Sequence, residues 1–491
     1  MLALFDETLK SSPSSIVEES FAKKLDSVDP LASFRNQFIF PPFHEPPTFS
    51  PEHYQPSNTT YTSSSTTVSS STSSTSTSTE TDTTNPTSKI YLCGNSLGLQ
   101  PKRLRSYVNE ELDKWEIYGV EGHVKPIRPW LTVDETVNES SCRIVGGLPH
   151  EVVIMNSLTV NLHLLMVGFY QPNNPNVLPK GRYKILIEDH AFPSDTYAVK
   201  SQLLYHQQNI NDALLLVKPR EGEECIREED ILQIINDNKD TLALVLLCGV
   251  QYYTGQVFNI PKITAAAHSV GAYCGWDLAH AVGNIPLKLH EWNVDFAAWC
   301  TYKYLNSGPG GLSGAFLHEK YRSDTLEKRP HFAGWWGHRK HDRFKMGPDF
   351  TPIDGVQGWQ LSNPPVLPIA ALRASLDIFD EAGGVEKLRQ KSLGLTSYLE
   401  YLIYHFIPKD EIRIFTPADR EARGAQLSLS FTLPVRQIFN QLTDAGIVVD
   451  MREPYVIRVA PAPLYNNAQD VYQFVTFLKK IIENIRAKET K

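Results

Sequence analysis

Apolar residues recur along the chain in two textures. Between residues 102 and 118, Leu104, Val108, Leu112 and Trp115 fall three or four positions apart, the spacing of one helix face, whereas YKILIE at 183–188 is a near-continuous apolar run of strand length. Further runs of the second kind lie at 242–247, 272–276, 296–300 and 314–317, with helical segments between them. Strands interleaved with helices over this length predict a mostly parallel sheet covered on both faces. From about Pro368 the pattern changes to two helices, strands near 412–415, 426–431, 447–449 and 455–459, and a final amphipathic helix. This predicts an α/β protein with a large domain at 89–367 and a smaller C-terminal α+β domain at 368–491. Ahead of both, Phe21, Leu25, Leu31, Phe34, Phe38 and Phe40 supply enough apolar surface for a short helical arm, residues 1–48, that docks back on the body.

One segment has neither texture. From Thr59 to Thr79 nineteen of twenty-one residues are Ser or Thr, and the segment 49–88 around them reads as a disordered insert, because hydroxyl-rich sequence cannot offset the entropy lost on ordering. A regulatory tail carrying phosphate or glycan is the alternative there.

Composition narrows the function. The 491 residues carry 47 Lys and Arg against 55 Asp and Glu, a net charge of −8, which disfavours a nucleic-acid surface. The longest apolar stretches, 158–170 and 241–250, are shorter than the roughly 18 residues of a membrane helix, so no span is expected. The first twenty residues lack a basic start and an apolar signal core, giving a cytoplasmic expectation. Six cysteines without a CxxC pair suit free thiols in a reducing compartment. His338 and His341 have no evident third ligand, so no metal site is expected.

The chemistry concentrates after two predicted strands. GAYCGWDLAH places Asp277 and His280, and DFAAWCTYK places Lys303, just beyond a strand end. In an open α/β sheet ligands bind outside the carboxyl ends of the strands, so Asp277 and Lys303 can converge on one crevice. An acid and an amine there suit pyridoxal phosphate: the lysine forms a Schiff base with its aldehyde, and the carboxylate keeps the pyridine nitrogen protonated. Taken singly, Asp277 also reads as a helix cap and Lys303 as a surface residue. SGPGG at 307–311 offers flexible backbone but lacks the ending of a nucleotide P-loop. NSLTVN at 156–161 looks like a loop entering a helix, where Leu158 and Thr159 could present amides and a hydroxyl to a phosphate, or where Ser157 or Thr159 is simply an N-cap. Phe192, Pro193, Ser194 and Asp195 follow a strand and read either as a turn or as an aromatic plane for a ring to stack on.

Taken together, YLCGNSLGLQP (91–101), the 192–195 tetrad, DLAHAVGN (277–284), YKYLNSGPGG (302–311), GWWGH (334–338), SNPP (362–365) and IRVAPAPLYN (457–466) resemble kynureninase, from about residue 89 to the C-terminus. The resemblance implies a fold-type I, aspartate-aminotransferase-like enzyme dependent on pyridoxal phosphate. It would be a homodimer with active sites shared between subunits, and would hydrolyse L-kynurenine or 3-hydroxy-L-kynurenine. It further implies that Lys303 holds the cofactor and takes the Cα proton, Asp277 pairs with the ring nitrogen, Phe192 stacks on the ring and Tyr302 relays protons. Leu158, Thr159, Pro193, Ser194, Asp195 and His280 would complete the cofactor pocket, with Trp335 and Asn363 arriving from the neighbouring subunit. Arg458 would grip the substrate carboxylate, although a bare Arg in a strand is as readily a structural ion pair. His123, Ser362 and Asn363 would face the substrate's aromatic ring. Cys248 departs from the family's small hydroxyl residue, which leaves its cofactor contact open. The rivals are a cysteine desulfurase-like enzyme of the same fold, which needs a nucleophilic Cys on a mobile loop, and a catalytically silent scaffold.

Overall fold

The computed structural model describes residues 1–43, 88–125 and 127–489. Seven strands form the central sheet, in the spatial order Val152–Met155, Ser313–Leu317, Phe296–Cys300, Tyr273–Asp277, Leu242–Cys248, Lys184–Glu188 and Leu214–Val217. All run the same way except Ser313–Leu317, which is antiparallel to both neighbours. Both faces are covered, which explains the unbroken apolar runs. Along one strand Leu244 and Leu246 enter one core while Val245 and Leu247 enter the other, and Ile185 and Ile187 lie opposite Leu186 in the same alternation. The strands Val152–Met155 and Leu214–Val217 were not read from the sequence; at four residues each they carry too short a pattern.

A second sheet joins Ile412–Ile414, Leu427–Phe431, Val456–Val459 and Asp450–Arg452, all antiparallel. Ile447–Val448 is not part of it: this pair runs parallel to Ile90–Tyr91 and ties the chain just after the Ser/Thr-rich segment to the C-terminal unit. The helix Val366–Glu381 buries Ile369, Leu372 and Leu376 in the large core, so in packing it goes with the body rather than with the unit expected to begin at 368. The helices Leu2–Ser11 and Glu19–Ser27 of the arm place Phe5, Phe21 and Leu25 in a third core with Tyr398, Leu399 and Phe474. Buried Lys391 pairs with buried Asp29 at 2.7 Å, fixing the arm's orientation. Residues 44–87, most of the Ser/Thr-rich insert, lie outside the described residues; Pro42 and Ser88 on either side of it pair as an antiparallel bridge.

The helix Leu104–Tyr118 departs from its expected facing. Leu112 and Trp115 are exposed, Trp115 by 64%. Its buried positions are instead Glu111 and Lys114, where Lys114 Nζ meets Glu111 Oε2 at 2.6 Å and the Trp130 indole donates to the same oxygen at 2.8 Å. Periodicity reports that a face is covered, not what covers it. Ile117, Val120, Val124 and Ile127 extend the exposed apolar stretch. Among the described residues no helix is long and apolar enough to cross a membrane.

Candidate active site

Three adjacent strands end on chemistry. Lys184–Glu188, Leu242–Cys248 and Tyr273–Asp277 lie side by side, so Glu188, Cys248 and Asp277 emerge at one rim, with Cys248 in register with Asp277. Two helices begin at the same rim. Leu158–Phe169 brings Leu158 and Thr159, and Pro193–Tyr205 brings Ser194 and Asp195 behind Phe192, with Pro193 at its first position, where its fixed φ suits a helix start. The Thr159 and Ser194 hydroxyls hydrogen-bond at 2.6 Å and tie the two helix starts together. Their free N–H groups favour an anion. The fourth strand end delivers Tyr302 and Lys303 beyond Cys300. Leu158, Thr159, Phe192, Ser194, Asp195, Cys248, Asp277, His280, Tyr302 and Lys303 all line one cavity of about 240 Å³, together with Glu188, Tyr252, Cys300, Gly310 and Gly311.

The backbone around the lysine is pinned from below by the 91–101 motif. Gly98 N–H donates to the Tyr302 carbonyl at 2.9 Å, and a Cβ at Gly98 would lie 2.3 Å from the Lys303 carbonyl oxygen, so only glycine fits. Gly311 is as tightly constrained, its Cβ position lying 2.3 Å from Ser307 Oγ. Asn95 joins this motif to Gln426 of the second sheet's unit at 2.8 Å.

Electrostatics divides the cavity into two ends. Lys303 Nζ is 2.8 Å from His280 Nε2, and burial, reinforced by the Lys303 charge, pushes His280 well below the usual imidazole range. His280 is therefore neutral and accepts from the ammonium. The Lys303 nitrogen lies 6.0 Å from the Phe192 ring centroid and 5.9 Å from that of Tyr302. Burial raises the Tyr302 phenol, which keeps its proton. At the other end Asp277 accepts the Ala279 N–H at 2.7 Å. Asp195, in contact with it, is driven upward by burial and then by the Asp277 charge. Burial also raises Glu188, to about 7, and the Cys248 thiol, which lines the cavity and hydrogen-bonds with Glu188.

Pyridoxal phosphate fits this donor set. Asp195 Oδ1 is buried without a protein partner, Asp277 faces the same space, Phe192 leaves a ring face open at 43% exposure, and two helix N-termini stand ready for a phosphate. Lys303 supplies the amine.

The residues expected at the substrate end, and Trp335 and Asn363, expected in the cofactor pocket from the neighbouring subunit, are not gathered. His123 bonds the Val120 carbonyl through Nδ1 at 2.9 Å and packs edge-on against Trp130. Ser362 and Asn363 are exposed, and Trp335, 49% exposed, donates to the Arg343 carbonyl at 3.0 Å. None of the four lines the cavity of the single chain. Arg458 is buried with its fork already taken: Nε and Nη2 meet Asp450 at 3.0 and 2.8 Å, and Nη1 donates to the Tyr252 carbonyl at 2.6 Å. It reaches the cavity through Tyr252, whose ring packs edge-on against Phe192 at 5.3 Å. Sequence reading missed Glu188 and Tyr252. Glu188 had a signal, since it closes the run at 183–188 as Asp277 closes its own.

Among the described residues Glu151, His290 and His318 bring three possible metal-ligand atoms within 4.8 Å of one another. Each atom is already committed: His290 Nδ1 and the Glu319 N–H donate to Glu151 Oε1, and the Lys320 N–H donates to His318 Nδ1. This is a hydrogen-bonded knot at the opposite end of the sheet from the cavity. His338 pairs with Asp342 at 3.1 Å, and His341 stays exposed.

Fold and site together define a fold-type I enzyme dependent on pyridoxal phosphate. A C-DES variant holding glycine linked to its PLP cofactor superposes with a TM-score of 0.65 at 16% identity, covering 80% of this chain and 96% of that one. The cysteine desulfurase of Thermococcus onnurineus gives 0.63 at 15% identity over 81% and 95%. A family model described as the kynureninase C-terminal domain matches residues 388–478. Kynureninase of Myxococcus xanthus is 47% identical over 94% of this chain and 96% of its own length, that of mouse 44% over 95% and 94%, and that of human 50% over 81% and 85%. The chain belongs to the kynureninase family.

Proposed function

We propose that the protein hydrolyses L-kynurenine and 3-hydroxy-L-kynurenine to anthranilate or 3-hydroxyanthranilate plus L-alanine, in tryptophan catabolism and NAD biosynthesis. The observation that carries this reading is the pairing of Lys303 with neutral His280 at one end of a cavity whose other end holds Asp277. When bound, pyridoxal phosphate supplies an aldehyde carbon for the substrate amine and a ring that accepts electrons from Cα. With the cofactor bound, Lys303 Nζ would take the Cα proton, and His280 Nε2, within hydrogen-bond reach, would steady it. Asp277 would hold the ring nitrogen protonated. Tyr302, held as a phenol, has a proton to relay. Leu158, Thr159 and Ser194 orient the phosphate end, and Phe192 covers the ring. Arg458 receives the substrate carboxylate by exchanging Asp450 for it, a like-for-like swap of one bidentate carboxylate for another.

The site is completed by a second copy, at the substrate end and, through Trp335 and Asn363, at the cofactor end. Trp335, Asn363, His123 and Ser362 stand on exposed segments, and the apolar stretch from Trp115 to Ile127 needs covering. A homodimer supplies both. The net charge of −8 speaks against nucleic acid, and the unpaired cysteines suit the cytoplasm. Cysteine desulfurase chemistry is disfavoured because the thiols lining the cavity, Cys248 and Cys300, are both raised by burial, and the thiolate is the nucleophile.

The test is an absorbance spectrum of the purified protein followed by addition of 3-hydroxykynurenine with product analysis. Visible absorbance from the lysine-bound cofactor and release of 3-hydroxyanthranilate with alanine are expected. Absorbance without cleavage would move the function to another reaction of the same cofactor.

A further inference from the structure

The reaction as described leaves Glu188 without a task. It is 2% exposed, ends a central strand, and shares the cavity rim with Cys248, Asp195 and Asp277. Three carboxyl groups and one thiol thus crowd the end where the ring nitrogen sits, against a single cationic partner in the cavity, Lys303, which stands beside His280 at the other end. Buried charges of one sign cannot all be ionised. Burial pushes Asp195 upward and Glu188 up to about 7, so these two favour the protonated form most. The causes are separable: burial comes first, and the Asp277 charge adds to it, while the Cys248 hydrogen bonds oppose it. The groups interacting with Glu188 are therefore Cys248 on the neighbouring strand, Asp277 on the next, Asp195 on the helix above, and Tyr252, with Lys303 acting on Asp195.

Resting on the cofactor reading above, we propose that Glu188 is the proton store of this site: it holds a proton beside Asp277 in the unloaded protein and releases it to solvent when Asp277 pairs with the protonated ring nitrogen. The carboxyl O–H bond breaks, its electron pair stays on the carboxylate, and the proton passes to buffer, where it can be counted. The direction follows from what binding changes. Glu188 is already fully enclosed, so a ring entering the cavity adds little desolvation. A cation opposite Asp277 cancels the charge that adds to burial in favouring the Glu188 proton. Glu188 is thereby a positioning residue, acting through Asp277, that makes cofactor capture sensitive to pH.

The test is titration of the cofactor-free full-length protein with pyridoxal phosphate between pH 5.5 and pH 8, counting protons by calorimetry in buffers of different ionisation enthalpy, on wild type and Glu188→Gln. Glutamine copies the protonated acid and cannot release. Near pH 7 wild type is expected to release more protons per site than the variant. If binding lowers the Glu188 pKa by about one unit, wild-type affinity gains about tenfold over this pH range relative to Glu188→Gln. Equal proton counts and parallel pH curves would overturn the inference while leaving the cofactor reading intact; failure of wild type to take up the cofactor would overturn both. Cys248→Ser provides the second readout should Glu188→Gln not fold. Its hydroxyl is a stronger donor to the Glu188 carboxylate, so the midpoint of proton release moves to lower pH, and an unmoved midpoint counts against Glu188.

Discussion

The two ends of this active site are built by different means. The cofactor end rests on strand termini and helix starts: Glu188, Cys248 and Asp277 are adjacent because their strands are, and Thr159 and Ser194 meet because two helices begin at the same rim. The proposed substrate end rests on loops and exposed segments, where His123, Ser362 and Asn363 remain apart and Arg458 is occupied by Asp450. Backbone pairing gathers most of the first within one chain, Trp335 and Asn363 excepted. The second, in the function proposed above, needs rearrangement and a second copy, so the two ends are expected to respond differently to substitution.

The largest effect belongs to Lys303. Lys303→Ala removes the amine proposed to bind the cofactor and take the proton, and turnover is expected to fall by at least about 10³-fold, with loss of visible absorbance. The fold is unaffected, so far-ultraviolet circular dichroism stays at wild-type values. A variant retaining both activity and absorbance would break the assignment of the cofactor end altogether.

Glu188 tests the same end in the unloaded protein. Its acid is raised from 4.5 to about 7 by burial. Between those values the native state holds a proton that the unfolded chain has given up, so stability falls as pH rises through this window and is flat above it. The span corresponds to something on the order of 3 kcal/mol. Denaturant unfolding of the cofactor-free protein at pH 5 and pH 8 measures it. Glu188→Gln is expected to lose the Glu188 share of the slope while Asp195 keeps its own; an unchanged slope would place the titrating group elsewhere.

Much of the cofactor end was legible because strand-end chemistry has a sequence signature. A buried strand announces itself as an apolar run, and an ionisable residue closing that run lies at the carboxyl rim, which is how Asp277 stood out. The same rule reaches Glu188 and was not applied to it. The other end carries no such mark. His123 and Ser362 were reached only through resemblance, and nothing in IRVAPAPLYN shows that Arg458 faces Asp450, because that pairing depends on the register of two strands. The helix at 104–118 shows the converse failure. Its apolar spacing reads as a core face, while the chain itself buries Glu111 and Lys114.

Arg458 sharpens the substrate end. Arg458→Lys keeps the charge but loses the planar fork, and KM for kynurenine is expected to rise by roughly 10- to 50-fold with a smaller change in kcat. Steady-state kinetics separates the two. A KM that stays put would mean that Asp450 keeps Arg458 throughout the cycle and that the substrate carboxylate is held elsewhere.

The smallest effect tests whether a second copy covers the exposed apolar stretch. Val120, 82% exposed, touches little within its own chain, so Val120→Asp is expected to change the stability of the isolated chain by less than about 0.5 kcal/mol. In a homodimer the same change buries a carboxylate in an apolar contact. There it is expected to raise the dissociation constant about tenfold, near 1.4 kcal/mol. Sedimentation velocity over a dilution series reads the second quantity, and cofactor absorbance at the dilute, dissociated end of the series reports whether the cofactor end survives. Weakened association with the cofactor still bound would confirm that one end holds the cofactor in the single chain while the other waits for its partner; an unchanged dissociation constant would remove this stretch from the interface and leave His123, which lies within it, without a route to a shared site.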